Sequence, residues 1–164
     1  MKNKKMIEIE RKFLVETLDF IPLADEKITL RQGYLNHDPE RTVRVRCSNT
    51  SGFLTIKGKS SNSGMHRFEW EKEISLEEAE ALLKLCLPNV IEKERYLIRE
   101  GEHIFEVDVF HGRLNGLIIA EVELNSEDEN IKLPHWIGKE VTGDKRYYNL
   151  LLSSMDLKKS PKDS

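Results

Sequence analysis

The chain has 164 residues, a length typical of one domain that buries its own core. Its 26 Lys and Arg residues nearly balance 29 Asp and Glu residues, and the formal net charge of -3 excludes a strong overall attraction to nucleic acid or to a membrane surface. Charged residues nevertheless make up 34% of the chain, above the usual ~25%. This excess of charge therefore needs a local explanation.

Cys47 and Cys86 are the two cysteines, and their spacing fits neither a zinc motif nor a disulfide framework. The first residues are basic but lack the apolar segment of a secretory signal, and no apolar stretch approaches the ~18 residues of a membrane-spanning helix. We therefore expect a cytoplasmic protein without a nucleic-acid or membrane partner. The sequence predicts one domain over 1–157, followed by a polar tail over 158–164.

Alternating apolar and polar residues predict eight β-strands, separated by turn signals rich in Gly, Asn, Asp and Ser. The strands are expected at 7–15, 28–35, 42–48, 53–59, 66–74, 91–99, 103–110 and 117–125. Because the connections are short, neighbouring strands should be mostly antiparallel.

Two helices are predicted, over 75–87 and 144–157. Ser75 and Glu78 have the spacing of a capping box at the start of the first helix. The second helix is expected to bury one apolar stripe. That stripe consists of Tyr148, Leu151, Leu152 and Met155.

Most predicted strands carry like charges on one face. Arg44 and Arg46 alternate with valines, and Glu121 and Glu123 alternate with apolar residues in the same way. Like charges two residues apart on a strand are about 7 Å apart and repel by roughly 2 kcal/mol at an effective dielectric of 20. A solvated sheet face usually mixes both signs of charge, so the repeated pattern indicates charged faces that need counterions.

A sheet of eight strands that closes with its charged faces inward satisfies this pattern. The predicted fold is therefore an α+β protein, an eight-stranded antiparallel β-barrel with flanking helices on its apolar outer face. Its interior should contain an acidic sector and a basic sector. Paired carboxylates suit Mg²⁺ or Mn²⁺, and an array of Arg and Lys suits a polyphosphate, so the tunnel is expected to catalyse phosphoryl transfer.

Several motifs also resemble a known family. The segment EIERK at 8–12 matches the E-x-E-x-K signature of the CYTH, or triphosphate tunnel metalloenzyme, superfamily. Further matching blocks follow in the same order: RQGYL at 31–35, RVR at 44–46, TIKG at 55–58, FEWE at 68–71, EKERY at 92–96, FEVDVF at 105–110, AEVEL at 120–124 and VTGDKRYYN at 141–149. The resemblance implies an eight-stranded tunnel, most similar to that of short bacterial inorganic triphosphatases.

The resemblance also implies roles for individual residues. The implied metal ligands are Glu8, Glu10, Asp108, Glu121 and Glu123. The implied triphosphate-binding residues are Lys12, Arg31, Arg44, Arg46, Lys57, Lys93, Arg95 and Lys145. Lys12, Lys93 and Arg95 are the expected catalytic residues among them. Glu69, Glu71 and Glu106 are inward candidates that would support the ligands, hold a second metal or position water.

We therefore expect a metal-dependent triphosphatase that uses Mg²⁺ or Mn²⁺ to hydrolyse a small substrate, with inorganic tripolyphosphate as the first choice and diphosphate and phosphate as products. Alternatives within the same fold are an adenylate cyclase that forms cyclic AMP and diphosphate, and a thiamine or nucleoside triphosphatase. A non-catalytic polyphosphate-binding module is the alternative from another class, although buried carboxylates would add nothing to anion binding. The oligomeric state is open, with a homodimer as one alternative.

Overall fold

A computed structural model describes residues 6–154, so the predicted tail at 158–164 and the end of the predicted second helix lie outside the described residues. All eight predicted strands are confirmed. They are β1 Ile7–Leu14, β2 Glu26–Tyr34, β3 Arg41–Cys47, β4 Gly52–Gly58, β5 His66–Ile74, β6 Ile91–Glu100, β7 His103–Phe110 and β8 Ile118–Glu123.

The strands form a closed barrel in the order β1-β5-β4-β3-β2-β6-β7-β8, and every pair of neighbours is antiparallel. The barrel closes because β1 pairs with β8 at one edge and with β5 at the other. In this register Lys12 is opposite Glu121, and Arg95 is opposite Asp108. Opposite residues share one face of the sheet, and the cavity that Lys12, Glu121 and Arg95 line inside the barrel confirms that this face is the inner one.

The first helix, α1, covers Leu76–Leu83 and has the predicted capping box. The Ser75 hydroxyl accepts a hydrogen bond from the Glu78 amide at 3.0 Å, and the Ser75 amide donates to the Glu78 carboxylate at 2.9 Å. Ala79 of this helix packs against Val45 on the outer face of β3. The helix ends before the predicted residue 87, because the chain continues as turns there.

The predicted helix from Asp144 is divided in two. A 3-10 turn covers Lys145–Tyr147, Tyr148 is extended, and the helix α2 covers Asn149–Ser154. The division changes the buried face from the one that a continuous helix would give. Leu151 is exposed, Met155 lies outside the described part, and the buried residues here include Tyr147, Leu150 and Leu152.

The rest of the outer barrel face is covered by loops. Phe20, beside a short 3-10 turn at Ile21–Leu23, packs with Phe105 and Trp136 in the largest apolar cluster. The Phe105 and Trp136 rings meet edge to face, with their centroids 5.7 Å apart. Across residues 6–154, helices are too short and too polar to cross a membrane.

Candidate active site

A cavity of about 60 Å³ lies inside the barrel at the end where the chain passes from β4 to β5. Many of the predicted site residues line it together. They are Glu8, Glu10, Lys12, Arg44, Lys57, Lys93, Arg95 and Glu121. The cavity therefore combines both kinds of charge that the sequence pattern predicted for the interior. We call it the tunnel cavity.

Carboxylates and ammonium groups pair across the tunnel interior. Lys57 Nζ is 3.0 Å from Glu8 Oε2 and 3.3 Å from Glu69 Oε2. Lys12 Nζ is 3.7 Å from Glu121 Oε1 on the neighbouring strand. The strand order agrees with the prediction of an acidic and a basic sector: the acidic faces of β7, β8, β1 and β5 are adjacent, and the basic faces of β4, β3 and β6 lie on the other side of the barrel. Ion pairs such as Lys57 with Glu8 join the two sectors.

Two guanidinium groups share one carboxylate on the next wall of the tunnel. Glu71 Oε2 is 3.5 Å from Arg44 Nη2 and 3.7 Å from Arg46 Nη2, and it also accepts a hydrogen bond from the Thr55 hydroxyl at 2.7 Å. Arg44 also donates to Thr55 Oγ1 at 3.2 Å. This wall carries more positive than negative charge, as a site for an anion requires.

Asp108 holds two of the cations that line the tunnel cavity, Lys93 and Arg95. It accepts bonds from Arg95 Nε at 2.8 Å and from Arg95 Nη2 at 2.9 Å, and Lys93 Nζ lies 2.8 Å from its Oδ2. Burial lowers the pKa of Lys93 to about 7, although Asp108 opposes the shift. Burial would raise the pKa of Asp108, but Arg95 and Lys93 outweigh it and hold that pKa below its usual range. Both Asp108 oxygens are thus occupied, and its metal-binding role stays a prediction.

Three carboxyl groups lie next to one another on β1 and β8. Burial, together with the charges of Glu121 and Glu8, raises the pKa of Glu10 well above its usual value. Burial acts in the same direction on Glu8 and Glu121, but Lys57 and Lys12 respectively outweigh it and lower their pKa values. Glu10 is therefore the carboxyl group that the other two repel most strongly when it is ionised.

This set of three carboxyl groups suits a hard divalent cation, because a cation would relieve the repulsion around Glu10. Carboxylate oxygens are also the ligands that Mg²⁺ and Mn²⁺ take. The residues that fit by this chemistry are Glu8, Glu10 and Glu121. No three His, Cys, Asp or Glu side chains within residues 6–154 already surround one metal position. The chemistry of these three donors thus fits a metal, while Glu8 and Glu121 are paired with Lys57 and Lys12.

The expected inward placement of Arg31 is wrong. Gln32 and Tyr34 on the same strand are buried on the inner side, so Arg31 points to the outer face of the barrel. There it pairs with Glu80 of α1. The strand alternation therefore removes Arg31 from the tunnel and makes it a link between β2 and the helix.

Arg46 lies at the opposite end of the barrel from the tunnel cavity. It lines a second cavity of about 490 Å³, together with Ser48 and Phe53, and Arg95 lies between the two cavities because it lines both. The Nε atom of Arg46 has no hydrogen-bond partner among the described residues. Burial and the neighbouring Arg44 lower the pKa of Arg46 to about 10.

Three further predicted residues lie outside the tunnel cavity. Glu106 pairs with Arg95, and Glu123 is exposed; both line a cavity at the same barrel end as Arg46. Burial raises the pKa of Glu123. Lys145 is exposed in a depression beside the tunnel cavity, which Arg67 also lines. The roles of these residues stay predictions.

Polar residues that the sequence reasoning did not assign also line the cavity. Tyr34 is buried there, and Arg67 Nη2 donates to Thr42 Oγ1 at 2.9 Å. Asn149 Oδ1 accepts a bond from Gln32 Nε2 at 2.8 Å and another from Lys93 at 3.1 Å. The inward alternation on β2 could have identified Gln32 and Tyr34, whereas the contacts of Asn149 depend on where the chain returns after β8.

Comparison with known proteins places the whole arrangement in one family. The CYTH domain model matches residues 6–151. An inorganic triphosphatase of Acetivibrio thermocellus is 47% identical over 143 residues, which are 87% of this chain and 90% of that protein. One of Nitrosomonas europaea is 40% identical over 153 residues, which are 90% and 97% of the two chains. A crystal structure of an inorganic triphosphatase, 38% identical, superposes with a TM-score of 0.64 and covers 90% of this chain and 95% of its own. The chain belongs to the CYTH family.

Proposed function

We propose that the protein hydrolyses inorganic tripolyphosphate to diphosphate and phosphate and that it requires Mg²⁺ or Mn²⁺. One observation carries the proposal: a single cavity inside the barrel brings an array of cationic side chains next to the crowded carboxyl groups of Glu8, Glu10 and Glu121. The relatives that are inorganic triphosphatases support the same substrate.

The cationic residues of the cavity bind and orient the substrate. Lys12, Arg44 and Lys57 approach from three different strands, so they contact the phosphate oxygens of a short polyphosphate from several sides. Lys93 and Arg95 are held in place by Asp108 and complete the array. Phosphoryl transfer depends mainly on positioning and charge stabilisation, and Lys12, Lys93 and Arg95 supply that stabilisation as the reaction proceeds.

Glu8, Glu10 and Glu121 would hold the divalent cation, with Asp108 and Glu123 as further predicted ligands. A bound Mg²⁺ or Mn²⁺ supplies Lewis acidity and lowers the pKa of water. The buried carboxyl groups also argue against a module that only binds polyphosphate, because an acidic group in an anion site weakens anion binding unless a cation accompanies it. Glu69 and Glu71 hold Lys57 and Arg44 in position.

The test is to incubate the protein with tripolyphosphate, ATP and thiamine triphosphate, each with and without Mg²⁺ or Mn²⁺, and to identify the products by ³¹P NMR. Metal-dependent release of diphosphate and phosphate from tripolyphosphate at the highest kcat/KM is the expected result. Cyclic AMP as the main product would replace the proposal by a cyclase. Binding of tripolyphosphate without turnover of any of the three would replace it by a binding module.

Two further expectations accompany the proposal. The cytoplasmic location, inferred from the two unpaired cysteines, can be checked by cell fractionation. The homodimer can be checked by sedimentation equilibrium.

A further inference from the structure

This inference rests on the proposed function and concerns which triphosphates the tunnel cavity accepts. Residues 141–149, called the strap here, cross the end of the barrel above the cavity. At one end of the strap, the Val141 amide donates to Lys12 O on β1 at 2.8 Å. At the other end, Asn149 accepts bonds from Gln32 on β2 and Lys93 on β6. Because β1 and β2 are on opposite sides of the eight-stranded barrel, the strap spans its opening.

The strap lies directly over the predicted phosphate-binding cations. The Tyr147 carbonyl accepts a bond from Lys12 Nζ at 3.2 Å, and the Tyr148 ring centroid is 5.2 Å from the same nitrogen. The guanidinium carbon of Arg67 is 5.9 Å from that ring. A phosphate bound to Lys12 therefore lies beneath the strap.

The strap meets the loop between β4 and β5 through two glycines. A Cβ on Gly64 would be 2.2 Å from Gly143 Cα and 2.7 Å from Gly143 N, and a Cβ on Gly143 would be 2.8 Å from Ser63 O. Both glycines have positive φ angles, +76° and +78°. The two backbones can touch only because neither residue has a side chain, and both glycines line the tunnel cavity.

We propose that the Gly64–Gly143 contact is a specificity determinant that closes this end of the cavity to triphosphates carrying an organic group and so selects free tripolyphosphate. Tripolyphosphate has an unsubstituted phosphate at each end, so no part of it needs to leave the cavity at the strap. In ATP or thiamine triphosphate, the organic group must leave the cavity. At the strap, the organic group meets the Gly64–Gly143 contact. At the other end of the cavity, it must pass Arg95, which Asp108 and Glu106 hold in place.

The experiment separates the two loops with Gly64→Ala, Gly143→Ala and the double variant. Gly143→Asn is added because Asn tolerates positive φ and therefore separates the backbones with less strain. Two ratios are measured for each protein with Mn²⁺ present: kcat/KM for thiamine triphosphate over tripolyphosphate, and the corresponding ratio of affinities by calorimetry. We expect the single variants to raise both ratios by about tenfold. The double variant should exceed neither single variant by much, because both substitutions break one contact.

Gly101→Ala is the matched control. Gly101 also has a positive φ, +60°, but a Cβ there meets no atom within 4 Å, so the substitution adds backbone strain without separating the strap. It should leave both ratios unchanged. Unchanged ratios in folded Gly64 or Gly143 variants, or an equal change in Gly101→Ala, would overturn the inference. Absence of turnover in the wild-type protein would refute the proposed function, while the affinity ratio would still decide the role of the contact.

Discussion

Lys93 and Asp108 form an ion pair with a separation of 2.8 Å, and their side chains are 1% and 2% exposed. The same carboxylate also holds Arg95, so one anion keeps two of the cations that line the tunnel cavity in position. The pair therefore connects the stability of the barrel to the geometry of the proposed substrate site.

Replacing Asp108 by Asn should destabilise the fold. The substitution leaves Lys93 and Arg95 buried without their shared anion, and breaking a buried pair typically costs about 3–5 kcal/mol. Urea unfolding followed by circular dichroism measures the loss. Asp38→Asn is the control, because Asp38 pairs with Arg41 on the surface and its loss should leave the midpoint nearly unchanged. Equal midpoints for Asp108→Asn and the wild-type protein would contradict this account.

The pH dependence of activity should reflect Lys93. Its pKa of about 7 is below the ordinary value of 10.5, so in the free enzyme the ammonium loses its proton as the pH rises through about 7. We expect kcat/KM for tripolyphosphate to fall over that range, because neutral Lys93 no longer attracts phosphate. In Lys93→Arg the guanidinium stays charged, so kcat/KM should begin to fall only at a higher pH. If the pH profiles of wild type and Lys93→Arg coincide, another group causes the decline.

Glu10→Gln should separate metal binding from folding. The amide removes one of three crowded carboxyl groups, so the metal-free variant should be at least as stable as the wild type. Wild-type protein with Mn²⁺ at 100 times its dissociation constant should gain about 2.7 kcal/mol, and the variant should lose most of this gain together with its activity. Thermal melts with and without Mn²⁺ test this, with the exposed Glu16→Gln as the control. Full Mn²⁺ stabilisation of Glu10→Gln would exclude Glu10 as a ligand.

Two arginines on opposite faces of the barrel should respond differently to the same substitution. Arg44→Met removes a cation from the tunnel cavity, and the loss of charge-assisted hydrogen bonds to phosphate should lower kcat/KM by roughly 10- to 100-fold. Arg31→Met breaks only the outer pair with Glu80, which should change stability by at most about 1 kcal/mol and leave kcat/KM unchanged. Steady-state kinetics with tripolyphosphate measures kcat/KM for both variants. A large loss of kcat/KM in Arg31→Met would show that Arg31 contributes to the substrate site.

The sequence was most informative where side chains alternate along strands. Period-two patterning located all eight strands, and it placed Glu8, Glu10 and Lys12 on one inner face. The same rule applied to β2 would have placed Arg31 outside, since Gln32 and Tyr34 form the inward set. Arg31 lies within the RQGYL motif, but its position in the alternation puts its side chain on the outer face, where it pairs with Glu80.

Other features depend on relations between distant segments, which local patterns do not contain. The ion pairs between Lys57 and Glu8, and between Arg95 and Asp108, follow from strand order and register. The strap is likewise fixed by tertiary contacts, and these override the helical pattern at Asp144, where the chain instead forms a 3-10 turn. Helical periodicity alone therefore predicted a longer helix than the fold permits.

The pairing of Lys57 with Glu8 has a consequence for how two different ligands are linked. When a phosphate oxygen takes the Lys57 ammonium, the Glu8 carboxylate loses its partner and gains affinity for a cation. When a cation takes Glu8, Lys57 becomes available to an anion. Anion and cation should therefore promote each other's binding by the same free energy, since thermodynamic linkage is reciprocal. The ion-paired interior should therefore bind an anion and a cation together more favourably than it binds either ligand alone.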